Sequence, residues 1–305
     1  MSVATPALPV PRRWWTARRR GYLLAFLFIA PALVNFLVFR YLPILAALRS
    51  SLWQYSLLGG YGEFIGLAAY RRMLEDPIFW TSLRVTALYV LLKVPAQVAL
   101  SLLFAVLLQR ETRFAAVVRS AVFAPVVASI VVVSVIWALM YHVQLGLLNS
   151  ILTSLGLPRI AFLSNPRLAL VAIVVMMVWK ELGFSMIILM AGLKGIPEMF
   201  YEAARIDGAS PWQQFRAITL PLLRRVLMFV LVTQTIFSFQ VFVPVYTMTR
   251  GGPLDATKVI VYYIYQNGFL FQDMGYAAAI SMVTLAILLV VSGVQMRLLR
   301  SEVEY

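Results

Sequence analysis

The chain has 305 residues, 62% of them hydrophobic and 12% charged, and its mean hydropathy is +0.87. A soluble domain carries about twice that charged fraction and cannot bury so much apolar surface, so the composition excludes a water-soluble globular protein and makes a bilayer the solvent. The net charge of +14 would suit a nucleic-acid binder, but in a membrane protein a basic excess belongs to cytoplasmic loops; the absence of cysteine and the single His142 argue against disulfides, thiol chemistry and zinc, and no metal site is expected.

Residues 1–20 form a basic segment with Arg12, Arg13, Arg18, Arg19 and Arg20, and Trp14 and Trp15 among them suit the headgroup region. No short apolar stretch with a small-residue cleavage site follows, so the first long apolar run reads as an uncleaved span. Apolar runs recur at 21–48, 81–108, 114–141, 168–193, 222–248 and 276–299. Each exceeds the roughly 20 residues that cross about 30 Å of hydrocarbon. The expectation is an all-α membrane protein: one six-transmembrane-helix domain over 21–300, followed by a tail at 301–305.

Between the spans, Arg110, Arg113 and Arg119, then Lys194, Arg205, Arg216, Arg224 and Arg225, then Arg297 and Arg300 fall on the same side as the N-terminal arginines. The alternate loops mix signs: Arg49, Arg71 and Arg72 with Glu63, Glu75 and Asp76, then Arg159 and Arg167, then Arg250 and Lys258 with Asp255 and Asp273. The positive-inside rule puts both termini in the cytoplasm and accounts for the charge without nucleic acid. Pro31, Pro43, Pro95, Pro125 and Pro244 interrupt the spans, and their freed carbonyls favour the bundle interior.

Residues 194–221 are polar and amphipathic, too long for a turn between spans four and five. They read as two short helices. Pro197 suits the first turn of one and Gly208 ends it, while Ser210, Pro211 and Gln213 supply a cap, a first helical position and a capping box for the next. With small residues at Ala203, Ala204 and Ala209, the result is a knob another surface can approach; a helix resting on lipid headgroups would share that shape. Glu202 has Arg205 one turn later as a possible partner.

Glu202-Ala203-Ala204, then Gly208 after three residues and Ile218-x-Leu220-Pro221 after nine more, resemble the EAA loop of binding-protein-dependent ABC permeases. Segments 64–80 and 248–269 resemble the carbohydrate type, the maltose and glycerol-phosphate systems. The resemblance implies that 194–221 is a coupling helix pair, with Glu202, Ala203, Ala204, Asp207, Gly208, Ile218, Leu220 and Pro221 meeting a cytoplasmic ATPase. It implies a second six-span permease, a different but related chain with a homodimer as the alternative, an ATPase dimer that holds ATP and magnesium, and an extracytoplasmic solute-binding protein near Gly251-Gly252-Pro253. The place implied is the cytoplasmic membrane of a prokaryote. This chain would bind no cofactor.

Charge inside a span is costly, which singles out Lys93, Lys180 and Glu181. Neighbouring Phe184 and, in span five, Gln234, Ser238, Phe239 and Gln240 add amides, a hydroxyl and aromatic faces suited to sugar hydroxyls and ring C–H faces. These eight residues are the candidate solute pathway, with interhelical bonding as the alternative use of each. No G-x-x-x-x-G-K-[ST] loop is present, so ATP must be handled by a partner. An ion-coupled transporter would need more carboxylates at mid-membrane than Glu181 alone, and an enzyme would need an acid/base pair that the lone His142 does not provide. The reading is a non-catalytic permease subunit for a sugar or related polar solute, with a phosphorylated polyol as the alternative cargo.

Overall fold

The computed structural model describes residues 14–109 and 111–299, with side chains from 20 to 298. Residues 1–13, the side chains of Trp14, Trp15, Arg18 and Arg19, and Arg110, Arg300 and the tail 301–305 lie outside the described residues.

Among the described residues, five helices are long and apolar enough to cross a membrane: Arg20–Ser50, Pro77–Leu107, Ala169–Lys194, Arg224–Met248 and Met274–Leu298. They correspond to spans one, two, four, five and six. The expected third span is not one straight helix but two, Arg113–Val127 and Ile130–Met140, bent by 102°. Pro125 lies one turn from the break, and Ala128 and Ser129 leave the helical region for extended backbone with ψ of 144° and 131°. The exposed helix end is then satisfied from span four. Lys180 Nζ donates to the carbonyls of Pro125 at 3.2 Å and Val126 at 3.4 Å, placing a positive charge where the helix dipole is negative. One turn on, Gly183 lets the backbones touch: an added Cβ would stand 2.6 Å from Phe123 Cα and Val122 O.

Spans two and four pack along each other, with span five beside them. One apolar cluster gathers around Tyr89, Ile173, Met176 and Val245, and a second around Ala105, Met186, Leu189, Leu223 and Val230. A third, with Met73, Phe79, Ile260 and Ile280, joins spans two and six. Span one, by contrast, is exposed almost throughout and meets the bundle through its last turns, which pack on span six.

The prolines divide. Pro125 and Pro244 are buried, as expected, but Pro31, Pro43 and Pro95 are exposed on the surface of the chain. Pro43 follows a π-helical turn, Leu37–Tyr41, and Pro221 follows another, Phe215–Thr219. A widened turn relieves the clash of a proline ring locally, so a neighbouring helix is not needed to do it.

Among the described residues, one element departs from an all-helical reading. Trp53–Ser56 and Gly60–Phe64 form an antiparallel hairpin with Trp53 opposite Phe64 and Tyr55 opposite Tyr61. Tyr55 and Tyr61 stack at 4.3 Å, and Arg49 lies 4.8 Å over the Tyr61 ring.

Contacts sort the loops into the two expected sets. At one end Lys194 pairs with Glu111 at 2.7 Å, and Arg224 donates to the Leu298 carbonyl at 3.1 Å. At the other, Arg72 pairs with Asp273 at 2.6 Å and covers the Tyr276 ring, while Asp76 accepts from Tyr263 at 2.5 Å and Tyr276 at 2.6 Å. Asp76 also caps span two by accepting from the Ile78 N–H at 2.8 Å. Burial pushes the Asp76 carboxyl up, but the two tyrosine hydroxyls and the helix-start N–H groups outweigh it and hold the group below the usual carboxylate value.

Candidate functional site

Residues 194–221 form the knob at the basic end. Pro197 stands at the cap of the first helix, Glu198–Ile206, one position outside its first turn. Gly208 ends it with φ of +77°; its N–H donates to the Arg205 carbonyl at 3.1 Å and the Ala209 N–H to the Ala204 carbonyl at 2.8 Å. This pair of bonds is the Schellman closure, which needs a left-handed residue at that point. Ser210 restarts the chain: its N–H donates to Gln213 Oε1 at 2.7 Å and its hydroxyl accepts from the Gln213 N–H at 3.4 Å. The expected capping box is therefore present, at the head of Pro211–Gln214.

The knob presents its motif outward. Glu202, Ala203, Asp207, Gly208, Leu220 and Pro221 are exposed, Ala204 and Ile218 half-buried, and Ile206 stands 87% exposed. Arg205 does not pair with Glu202; it reaches back to Glu198 at 3.5 Å and to the Tyr201 carbonyl at 3.2 Å. Reaching toward the helix start leaves Glu202 without an ion pair among the described residues, its carboxylate facing outward. The underside is anchored. Tyr201 and Thr219 share a hydroxyl hydrogen bond at 2.9 Å, and Tyr201, Ile218 and Leu222 pack on the cluster that holds Leu193, Ile196 and Leu223. Gly192, near the end of span four, lies so close to span five that an added Cβ would stand 2.7 Å from Leu223 and 2.8 Å from Val226.

Half-way along the spans, Lys93 of span two, Glu181 and Ser185 of span four and Gln234 of span five meet. Lys93 Nζ donates to Glu181 Oε2 at 2.6 Å and to Gln234 Oε1, and Gln234 Nε2 donates to the Ser185 hydroxyl at 2.9 Å. Lys93 is 1% exposed, so its charge depends on this carboxylate; Glu181 keeps 23% of its side chain at the surface. Adjacent Lys180 turns the other way, to the broken helix. Ser238 is buried and donates to the Gln234 carbonyl at 2.6 Å, and Phe239 is buried beside it. Phe184 and Gln240 are exposed. Of the eight pathway candidates, then, Glu181, Phe184 and Gln240 reach the surface in this structure, while Lys93, Lys180, Gln234, Ser238 and Phe239 lie inside.

Sequence reasoning missed the stripe to which Lys93 belongs. Ser82, Thr86, Tyr89, Lys93, Gln97 and Ser101 follow one another at three or four residues along span two, and none is more than 1% exposed. Thr86 accepts from the Ile260 N–H at 2.8 Å, and Ser101 donates to the Leu182 carbonyl at 3.2 Å. The helical spacing of polar residues inside an apolar run was the available signal, since lipid would not tolerate that face.

Residues 65–302 match the family described as binding-protein-dependent transport system inner membrane component. The trehalose/maltose transport system permease MalF of Thermococcus litoralis is 37% identical over 87% of this chain and 90% of its own length. The sn-glycerol-3-phosphate permease UgpA of Agrobacterium fabrum is 30% identical over 93% and 97%. In fold, the chain is similar to a chain of a crystallised bacterial ABC importer of the acidic polysaccharide alginate, with TM-score 0.84, 24% identity and coverage of 96% of this chain and all of that one.

Proposed function

The chain belongs to the binding-protein-dependent transport system inner membrane component family, and from that premise we propose that it couples a separate ATPase to solute movement through residues 194–221. As an ABC transporter permease of the sugar-transport kind it is a non-catalytic membrane subunit. It forms half of the translocation path. A second six-span permease supplies the other half, an ATPase dimer with ATP and magnesium sits beneath, and a binding protein delivers solute from outside the cytoplasmic membrane of a prokaryote. Both termini lie on the cytoplasmic side, with the knob.

The observation that carries this reading is the knob itself: an outward-facing Glu202-Ala203-Ala204 surface closed by a left-handed Gly208 and rooted in the core shared by spans two, four and five. ATPase closure pressing on it would move all three spans. Glu202→Lys and Gly208→Leu are expected to separate ATP hydrolysis from uptake, or to release the ATPase, with membrane insertion intact. Normal uptake in both variants would remove the coupling assignment.

The solute is a sugar or related polar compound, met by Glu181, Phe184 and Gln240, with the buried members of the cluster behind them. A carboxylate 23% exposed at mid-span is excluded from lipid and therefore faces a partner or an aqueous path. Gln240→Ala should alter the concentration dependence of uptake and leave assembly unchanged; an identical uptake curve would take Gln240 out of the path. The glycerol-phosphate relative favours a phosphorylated polyol as the second reading.

A further inference from the structure

The Lys93–Glu181 arrangement bears on which solutes can pass, and the inference below rests on Glu181 facing the path. Two lysines lie in the middle of the described spans, and an anionic solute would call on one of them. Neither is available. Lys93 is fully enclosed and spends its donors on Glu181 and Gln234, and Lys180, 8% exposed, is committed to the carbonyls of Pro125 and Val126. Arg84, the next basic residue of span two, stands nine residues nearer the helix start, about 13 Å along the axis. What reaches the surface is the acceptor side of an ion pair. One carboxylate oxygen of Glu181 is held by Lys93, and among the described residues no donor is bonded to the other.

We propose that Lys93 and Glu181 together act as an electrostatic filter in this half of the path, admitting neutral, hydroxyl-rich saccharides and rejecting phosphorylated or carboxylated solutes. Glu181 offers lone pairs to sugar hydroxyls, and its charge lies outermost. The buried ammonium behind it keeps the carboxylate oriented and limits its attraction for cations. Lys93 is a positioning residue: it acts through Glu181, without touching solute. An anion would meet the negative end of the pair and find no cation to replace its water.

The chain's lack of cysteine makes a direct test possible. Phe184→Cys places a thiol one helical turn from Glu181. In the assembled transporter in native membrane vesicles, the thiol is labelled with a cationic (trimethylammonium-ethyl) or an anionic (sulfonatoethyl) methanethiosulfonate and read as a mass increase of this chain. Rates are divided by those with free cysteine. With the carboxylate about 6 Å and the ammonium about 8 Å from the reagent charge, the cationic reagent should be favoured about tenfold. Glu181→Gln in the same background should remove the cationic preference, because Lys93, whose charge depends on that carboxylate, is all that remains. Lys93→Met with Glu181→Gln, which leaves no buried charge, should abolish it and serves if the single variant does not assemble. Ile188→Cys, a turn further on, serves if Phe184→Cys does not assemble. A preference for the anionic reagent in the parent, a preference untouched by removing both charges, or uptake of sn-glycerol 3-phosphate by the unaltered transporter would overturn the filter while leaving the site on the path. No labelling with or without ATP and vanadate would remove the site from the path and the filter with it.

Discussion

The knob at 194–221 is assembled from near neighbours in sequence: a left-handed glycine, two backbone closures and a capping box, all lying in the open. The mid-span cluster draws on residues 88 and 141 positions apart, through side chains, with Lys93 and Gln234 closed to solvent. The first can be altered by pieces, each with a small local effect on stability and, on the coupling role proposed above, a large one on function. The second stands or falls together, because an ion pair taken out of water leaves either partner in difficulty once the other is gone.

That contrast can be broken by mutation, beginning where the effect should be largest. Glu181→Leu leaves Lys93 enclosed without the carboxylate its charge depends on and should cost about 3–5 kcal/mol, seen as lost recovery of the assembled transporter in mild detergent. Adding Lys93→Met should restore most of it; if it does not, the cluster is not the interdependent unit described. Lys180→Met should cost about 2 kcal/mol by leaving two carbonyls at the broken third span unsatisfied, measured as a lower melting midpoint.

Asp76→Asn at the opposite end should cost about 1 kcal/mol, reduced by solvent screening of a partly exposed group. Its pH dependence has a definite sign. The folded-state carboxyl lies below the ordinary value, so its contribution is complete above that ordinary value and is lost as pH falls through the lowered one. The Asn variant should show less acid destabilisation in that window, and an unchanged pH profile would remove Asp76 as a linkage group. The smallest effect should come from Ser210→Ala, about 0.5 kcal/mol, with melting almost unchanged and ATPase coupling the more sensitive measurement.

The same contrast explains what could be read before the structure. Span positions, the grouping of loops into two ends, the Gly208 bend and the Ser210 cap follow from periodicity and turn chemistry, which act within a few residues. The 102° break in span three did not, because an unbroken apolar run says only that a segment tolerates lipid. What holds the bend open is Lys180 and Gly183 of another span. The hairpin had a usable signal in Gly59-Gly60 between aromatic residues, hidden by the expectation of helices alone. Lys93, Glu181 and Gln234 stood out as costly residues, but their meeting depends on how three spans cross, and Arg205 turning to Glu198 instead of Glu202 depends on rotamers that spacing does not decide.

The close approach at Gly192 has a mechanical meaning. Where two helices touch through long side chains, a small displacement is absorbed by rotamer changes, as a spring takes up slack. At Gly192 there is no side chain to yield on one face, and Leu223 and Val226 press nearly against backbone. The joint is stiff in compression. A push arriving through the end of span five would reach span four with little backlash, and an added methyl group would force Leu223 or Val226 to shift.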